Sequence, residues 1–210
     1  MKIKLFAILI CFAAFQTAQT VMGQEQTKTP PPAPVSTPAP TTAPSTATGT
    51  AQIAPAANPA DVGTLDGIMK AVYDVISGDA GAARNWDRFR GLFHKDARLI
   101  PTGKSQKTGV VGANALTPED YVKRVEPFFA KEGFYETEVA RRVETYGHIT
   151  HVFSTYASYH SKKEGEKPFA RGINSFQLMF DGTRWWVVTI YWEGETPENP
   201  LPEKYLKNGN

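Results

Sequence analysis

Apolar positions along this chain change period several times, and each change marks an element. Leu65, Ile68, Met69, Val72, Tyr73 and Ile76 recur three and four residues apart, which predicts an amphipathic helix ending at Ser77-Gly78. Asp66, Lys70 and Asp74 follow one another every four residues on another face of it. After a loop over residues 78–84, Trp86, Phe89 and Phe93 return at helical spacing. Asp96-Ala97 then separates them from an apolar strand, Leu99-Ile100, that stops at Pro101-Thr102-Gly103. Thr117-Pro118-Glu119-Asp120 is a helix start, with Thr as N-cap, Pro in the first turn and Asp at the capping-box position. Tyr121, Val122, Val125, Phe128 and Phe129 form that helix's apolar stripe, and Gly133 ends it.

From there the period falls to two. Residues 134–144, 149–160, 168–180 and 184–192 read as strands, separated by turns at Tyr146-Gly147, at 163–166 and at the hairpin signal Asp181-Gly182. Glu136, Glu138, Arg142 and Glu144 alternate along the first of them as a wet face. The proline-rich tail over 197–202 cannot extend a ladder. Three helices followed by an antiparallel meander predict an α+β domain, with the helices packed on one face of a curved sheet.

Composition divides the chain in three. Lys2 and Lys4 precede an apolar run over residues 5–15, and Val21-Met22-Gly23 offers small residues for cleavage before Gln24. That pattern predicts a signal peptide over 1–23 and an exported protein, periplasmic or extracellular. Eleven apolar residues are too few for a stable membrane span, which needs roughly 20. Cys11, the only cysteine, lies inside the run, so the mature protein is expected to contain no disulfide. Residues 24–60 hold nine prolines among Ala, Thr and Ser and are expected to be a disordered, extended linker. Residues 61–210 form the domain, with 20 basic side chains against 20 acidic ones. No basic patch appears, which argues against nucleic acid as a partner.

Tyr73-Asp74-Val75-Ile76-Ser77-Gly78, Trp86-Asp87-Arg88-Phe89-Arg90, Leu92-Phe93, Asp96-Ala97 and the closing Gly182-Thr183-Arg184-Trp185-Trp186-Val187 together resemble the nuclear transport factor 2-like superfamily over roughly 62–195. Ketosteroid isomerase, scytalone dehydratase and polyketide cyclase-type enzymes belong to it, and the wording is also close to exported bacterial members of unestablished function. The resemblance implies a cone in which three N-terminal helices pack on the concave face of a curved antiparallel sheet that lines a pocket. It also implies homodimers through the outer sheet face. Ile100, before Pro101, takes the register of the isomerase's general base, and an isoleucine accepts no proton. Asn174 approximately matches the isomerase's oxyanion-hole acid. Tyr73-Asp74 resembles a dehydratase pair, although seven extra loop residues intervene before the tryptophan motif.

Each candidate also has a plainer reading in packing or solvation: Tyr73 in the apolar stripe, Asp74 on the solvated face, His94 as a cation at a helix C-terminus. His148 and His151 lie three apart, which on a strand puts them on opposite faces and makes a shared metal improbable. By analogy with the isomerase, His151 and Phe153 are expected on the concave face. Gly172, Asn174, Phe176 and Leu178 are expected there too, as are Trp186, Val188, Ile190 and Trp192. Trp86, Phe89, Ile100, Phe128, Phe153, Phe176, Trp186 and Trp192 are therefore the expected ligand-lining residues. Tyr73, Asp74, His151 and Asn174 are the candidate catalytic set. No nucleophile elbow, Walker loop or dinucleotide fingerprint occurs, and no cofactor or metal is expected. These readings favour a non-catalytic pocket for a small apolar ligand or a protein partner. An enzyme of lyase or isomerase type and an interaction module with a self-filled pocket are the alternatives.

Overall fold

The structure, a computed structural model, describes residues 56–209. The signal segment 1–23 and the linker up to residue 55 lie outside the described residues. The domain runs α1 (Pro59–Val62), α2 (Leu65–Ile76), α3 (Trp86–Leu92), β1 (Phe93–Lys104), β2 (Val111–Ala113), α4 (Pro118–Phe129), β3 (Tyr135–Tyr146), β4 (Ile149–Tyr159), β5 (Ala170–Phe180) and β6 (Trp185–Gly194). A single 3₁₀ turn, Glu203–Tyr205, follows. The six strands form one curved, unclosed sheet in the order β2-β1-β6-β5-β4-β3. The expected α+β class holds, but α1 and the edge strand β2 add to the three helices and five strands expected, and β1 runs parallel to β6 while the other pairs are antiparallel.

Local chemistry accounts for the helices. The Thr64 hydroxyl caps α2 by accepting from Gly67 N at 2.9 Å, and Asn85 caps α3 by accepting from Arg88 N at 2.8 Å. Thr117 and Asp120 complete a reciprocal capping box on α4. Helix α2 is buried on most of its circumference, because it lies against the sheet on one side and against α3 on another. The tryptophan motif ties the remaining helices together. Phe89 is in the core, and Trp86 packs on the rings of Phe89 and Phe129. Arg88 forks onto Asp61 of α1 at 2.7 and 2.8 Å, and Arg90 forks onto Glu119 of α4 at 2.5 and 3.1 Å. These guanidiniums hold both carboxyls below the usual carboxylate range. The loop after α2 is organised by Arg84, which donates to the carbonyls of Ile76, Gly78, Asp79 and Ala82 and lies over the Phe129 ring.

Bulges bend the sheet and reset which side chains face the helices. On β6 the register steps from Gln177–Thr189 to Leu178–Val187, leaving Val188 as the extra residue. Trp185 and Val187 on one side of it, and Ile190 and Trp192 on the other, therefore face the core. Trp186, expected inside, faces out. There its indole Nε1 donates to Asp181 at 2.6 Å, and the Arg184 guanidinium lies 3.6 Å from its ring centre. On β3 the extra residue is Val139, between the Glu138–Tyr156 and Ala140–Thr155 pairs. Glu136 and Glu138 consequently face inward, whereas Arg142 and Glu144 face outward; the expected single wet face is two faces. On β1, Leu99 pairs with Ile190 and Pro101 with Trp192, so these point inward and Ile100, opposite Tyr191, points out. His94 lies in β1 rather than on a helix end, with its ring edge-on to Trp186.

The C-terminal segment folds back over the outer face of β3 and β4. Thr155 Oγ1 donates to the Tyr205 carbonyl at 2.5 Å, Tyr205 packs on Phe153, and Arg142 donates to the Lys204 carbonyl. Gly209 then bridges to the outer edge strand at Arg142. Ala140 and Thr155 are buried beneath this strap although they belong to the outer face.

Face parity has a direct consequence for stability. Phe176→Ala, which empties a fully buried site on the concave face, is expected to cost about 3–5 kcal/mol. Phe153→Ala, on the outer face against Tyr205, is expected to cost roughly 1 kcal/mol. Chemical denaturation of both variants measures the difference, and equal losses would overturn the assigned faces.

Candidate polar site in the concave face

The concave face is mostly apolar: a Thr145–Thr150 hydroxyl pair lies toward one end of β4, and one larger polar cluster occupies its middle. Tyr73 projects into it from α2, Ser154 and Ser158 from β4, Asn174 from β5, and Glu136, Glu138 and Arg141 from β3. Tyr73, Ser154, Ser158 and Asn174 are all buried. The hydrogen-bond directions follow from what each group can donate. The Asn174 amide donates to the Tyr73 hydroxyl oxygen at 3.2 Å. The Ser154 hydroxyl donates to Glu138 Oε1 at 2.6 Å. The Tyr73 proton must therefore go to Ser154 Oγ, 2.7 Å away.

Two carboxyls end this network, in different surroundings. Glu138 is held by Arg141 through Nε at 2.8 Å and Nη2 at 2.5 Å, and Arg141 reaches on to Asp66 at 2.8 Å. Glu136 has only neutral donors: Ser158 at 3.0 Å and the Asn174 amide at 3.3 Å. Among the described residues no Lys, Arg or His is paired with it. Burial pushes its carboxyl up to about 7, against the lowering effect of Ser158 and Asn174. Burial and the Glu136 charge together push the Tyr73, Tyr121 and Tyr156 phenols well above their ordinary range, so all three stay neutral. Glu136 and Tyr121 are half-buried.

The aromatic wall beside Glu136 is built by packing. Tyr121 stacks on Phe89 with ring centres 5.6 Å apart and meets Trp192 edge-to-face at 6.4 Å. Tyr156 lies across Gly172 and beside Gly194. A Cβ at Gly172 would stand 2.6 Å from the Tyr156 hydroxyl and 2.3 Å from the Glu193 carbonyl, so only glycine admits the ring there. Two open grooves, of about 390 and 420 Å³, run along β3. The second is lined by Asp66, Glu138 and Arg141, so it exposes the outer end of the network rather than Glu136.

Of the expected catalytic set, Tyr73 and Asn174 meet. Asp74 and His151 do not join them. Asp74 is on the exposed side of α2, paired with Lys70. His151 is on the outer face, where its Nε2 lies 3.1 Å from Ser175 Oγ. Among the expected lining residues, Trp86, Phe89, Phe128, Phe176 and Trp192 belong to the apolar interior, Phe89 and Phe176 as fully buried core. Ile100, Phe153 and Trp186 are outside it. The inward residue of β1 at this level is Leu99, also without a proton-accepting group, so the strand after α3 brings no base to the site. Glu136, Glu138, Ser154, Ser158, Tyr121 and Tyr156 were missed. Taking the inward face of β4 from the run Val152, Ser154, Tyr156 instead of from His151 would have found the serines. The two glutamates needed the Val139 bulge.

No protein-family model matches the chain. No curated protein matches it. Solved structures do. A nuclear transport factor 2-like protein of unknown function from Silicibacter pomeroyi is 12% identical, covering 63% of this chain and 99% of its own, with a TM-score of 0.40. A second, from Shewanella baltica, is 11% identical, covering 63% and 98%, with a TM-score of 0.35. The CaMKII hub of S. rosetta is 14% identical, covering 62% and 90%, with a TM-score of 0.37.

Glu136 gives the site a measurable pH signature. A carboxyl that titrates near 7 when folded and at its ordinary value of about 4.5 when unfolded binds more protons in the folded state between those pH values. Its contribution to stability is therefore full below about pH 4.5 and is lost as pH rises through 7. The loss amounts to about 3 kcal/mol. Glu136→Gln is expected to abolish that part of the decline. Urea unfolding of both proteins at pH 5.5 and 8 measures it, and parallel declines would refute the assignment.

Proposed function

We propose that this domain is an exported pocket protein that seats a small, mostly apolar ligand by its polar end on Glu136, Asn174 and Tyr73. The observation that carries this reading is the placement of a carboxyl, an amide and a phenol together in a mostly apolar concave face, with no cation paired to the carboxyl among the described residues. Buried polar groups in such a face stabilise the fold poorly by themselves, whereas they orient a bound molecule well. Apolar contact along Tyr121 and Trp192 and hydrogen bonding at Glu136 and Asn174 would divide affinity and specificity between them.

A second reading has one observation in its favour. A carboxyl titrating near 7 beside a phenol and an amide is suited to moving a proton to and from a bound substrate, as lyases and isomerases require. On this reading Glu136 is the base, not a residue of β1, and Tyr73 and Asn174 polarise the substrate. Glu136→Gln separates the two: it would abolish turnover while sparing the affinity for a substrate held mainly by apolar contact.

Export rests on the apolar run over residues 5–15 and the proline-rich stretch behind it. Homodimerisation rests on the part of the outer sheet face that the C-terminal strap leaves open. Tyr191 is 45% exposed there, and Gln177 and Thr189 pair beside it.

Native mass spectrometry of protein purified from its own host reads all three elements at once. The expected spectrum shows a protomer beginning at Gln24, a dimer, and a small-molecule adduct that Asn174→Leu depletes but His151→Ala does not. A mass beginning at Met1 would sink the cleavage, and a monomer at micromolar concentration would sink the dimer. Equal adduct on both variants would sink the pocket.

A further inference from the structure

We infer that the ligand of the concave site is a protonated amine carrying an aromatic or aliphatic body, its ammonium placed against Glu136 and the rings of Tyr73, Tyr121, Tyr156 and Trp192. The inference rests on the pocket reading above and names the chemical class that the pocket takes.

Charge balance sets Glu136 apart. The other shielded carboxyls near it do have a cation: Glu138 on the same strand has Arg141, and Asp61 has Arg88. Glu136 has none among the described residues, only Ser158 and Asn174. Two neutral donors satisfy part of a carboxylate's hydrogen-bonding capacity and none of its charge. Its other neighbours are phenols, which burial first and the Glu136 charge second keep neutral. Aromatic rings are electron-rich on their faces, and Trp192 meets Tyr121 edge-to-face. A carboxyl without a counter-cation, walled by aromatic rings, complements a cation. It disfavours an anion through like-charge repulsion, and a neutral ligand leaves its charge unbalanced.

Titratable and charged groups facing this point are few. They are Tyr73 from α2, Tyr121 from α4, Glu138 and Arg141 from β3, and Tyr156 from β4. Arg141 is committed to Glu138 and Asp66, so it does not move to Glu136 without abandoning both. Below neutral pH, seating an ammonium ionises the Glu136 carboxylic acid, and the proton released goes to solvent.

The experiment compares three probes of one shape on the full chain by titration calorimetry: 2-phenylethylamine, 2-phenylethanol and 3-phenylpropionate. The amine is expected to bind at least about tenfold more tightly than the alcohol, from a charge-assisted hydrogen bond plus cation–π contact. The carboxylate is expected to bind more weakly than either. At pH 6 the amine should release a proton, seen as a heat that varies with buffer ionisation enthalpy. Glu136→Gln should erase both the preference and the proton release, and the surface variant Asp74→Asn should keep both. Tyr121→Leu, which leaves the carboxyl in place, should weaken the amine several-fold. If amine and alcohol bind alike, or the preference survives in Glu136→Gln, the cationic class is wrong and the pocket reading stands. If none of the three binds, the pocket reading fails and the inference falls with it.

Discussion

One phenol on a buried helix governs the interior. Helix α2 crosses the concave face with most of its circumference covered, and Tyr73 is the side chain that carries a hydroxyl into that space. A buried hydroxyl without partners costs on the order of several kcal/mol. Its needs are met by Ser154 on β4 and Asn174 on β5, which face each other across the ladder. Each of these has needs in turn, which Glu138 and Glu136 fulfil from β3. A polar chain thus runs through an aromatic core, joining the helix layer to three neighbouring strands. It holds α2 at a definite depth and rotation, which apolar packing alone specifies less sharply.

The two ends of that chain divide its roles. At Glu138 the chain terminates in an ion pair with Arg141 that opens onto the groove along β3. That end is electrically closed. At Glu136 it terminates in a carboxyl with neutral donors and aromatic neighbours, and that end is electrically open. The difference comes from position along one strand: Glu138 is near enough to the bulge at Val139 for Arg141 to curl back to it. Glu136, two residues deeper, is beyond that reach. A shielded group whose charge the fold leaves unbalanced is suited to a partner from outside the fold that balances it.

The outer face shows a different economy. Where a bare sheet face would invite a partner, the C-terminal segment crosses β3 and β4 and gives Ala140 and Thr155 an interior environment. His151 and Phe153, which sequence reasoning assigned to the pocket, belong to this exterior. Their imidazole and ring pack on Ser175, on each other and on Tyr205.

The three longer helices, their caps and five of the six strands were legible because their signals are local; the four-residue α1 and the three-residue β2 are too short to show a period. Thr117 with Asp120, the stripe from Leu65 to Ile76 and the turn at Asp181-Gly182 each specify an element within a few residues. The apolar interior was legible in part for the same reason, through Phe89, Phe176 and Trp192. Tyr73 and Asn174 were found as candidates, but nothing local showed that they touch, since 101 residues separate them. Glu136 was read as a surface residue because its alternation with Arg142 and Glu144 is unbroken in the sequence. Only pairing with β4 inserts Val139 as an extra residue and turns the glutamates inward, just as pairing with β5 inserts Val188 and turns Trp186 out. A bulge is a mismatch between two strands, so neither strand's sequence contains it. The sequence by itself determined which elements form; the tertiary pairing decided which way their side chains face, and the polar site exists only through that second decision.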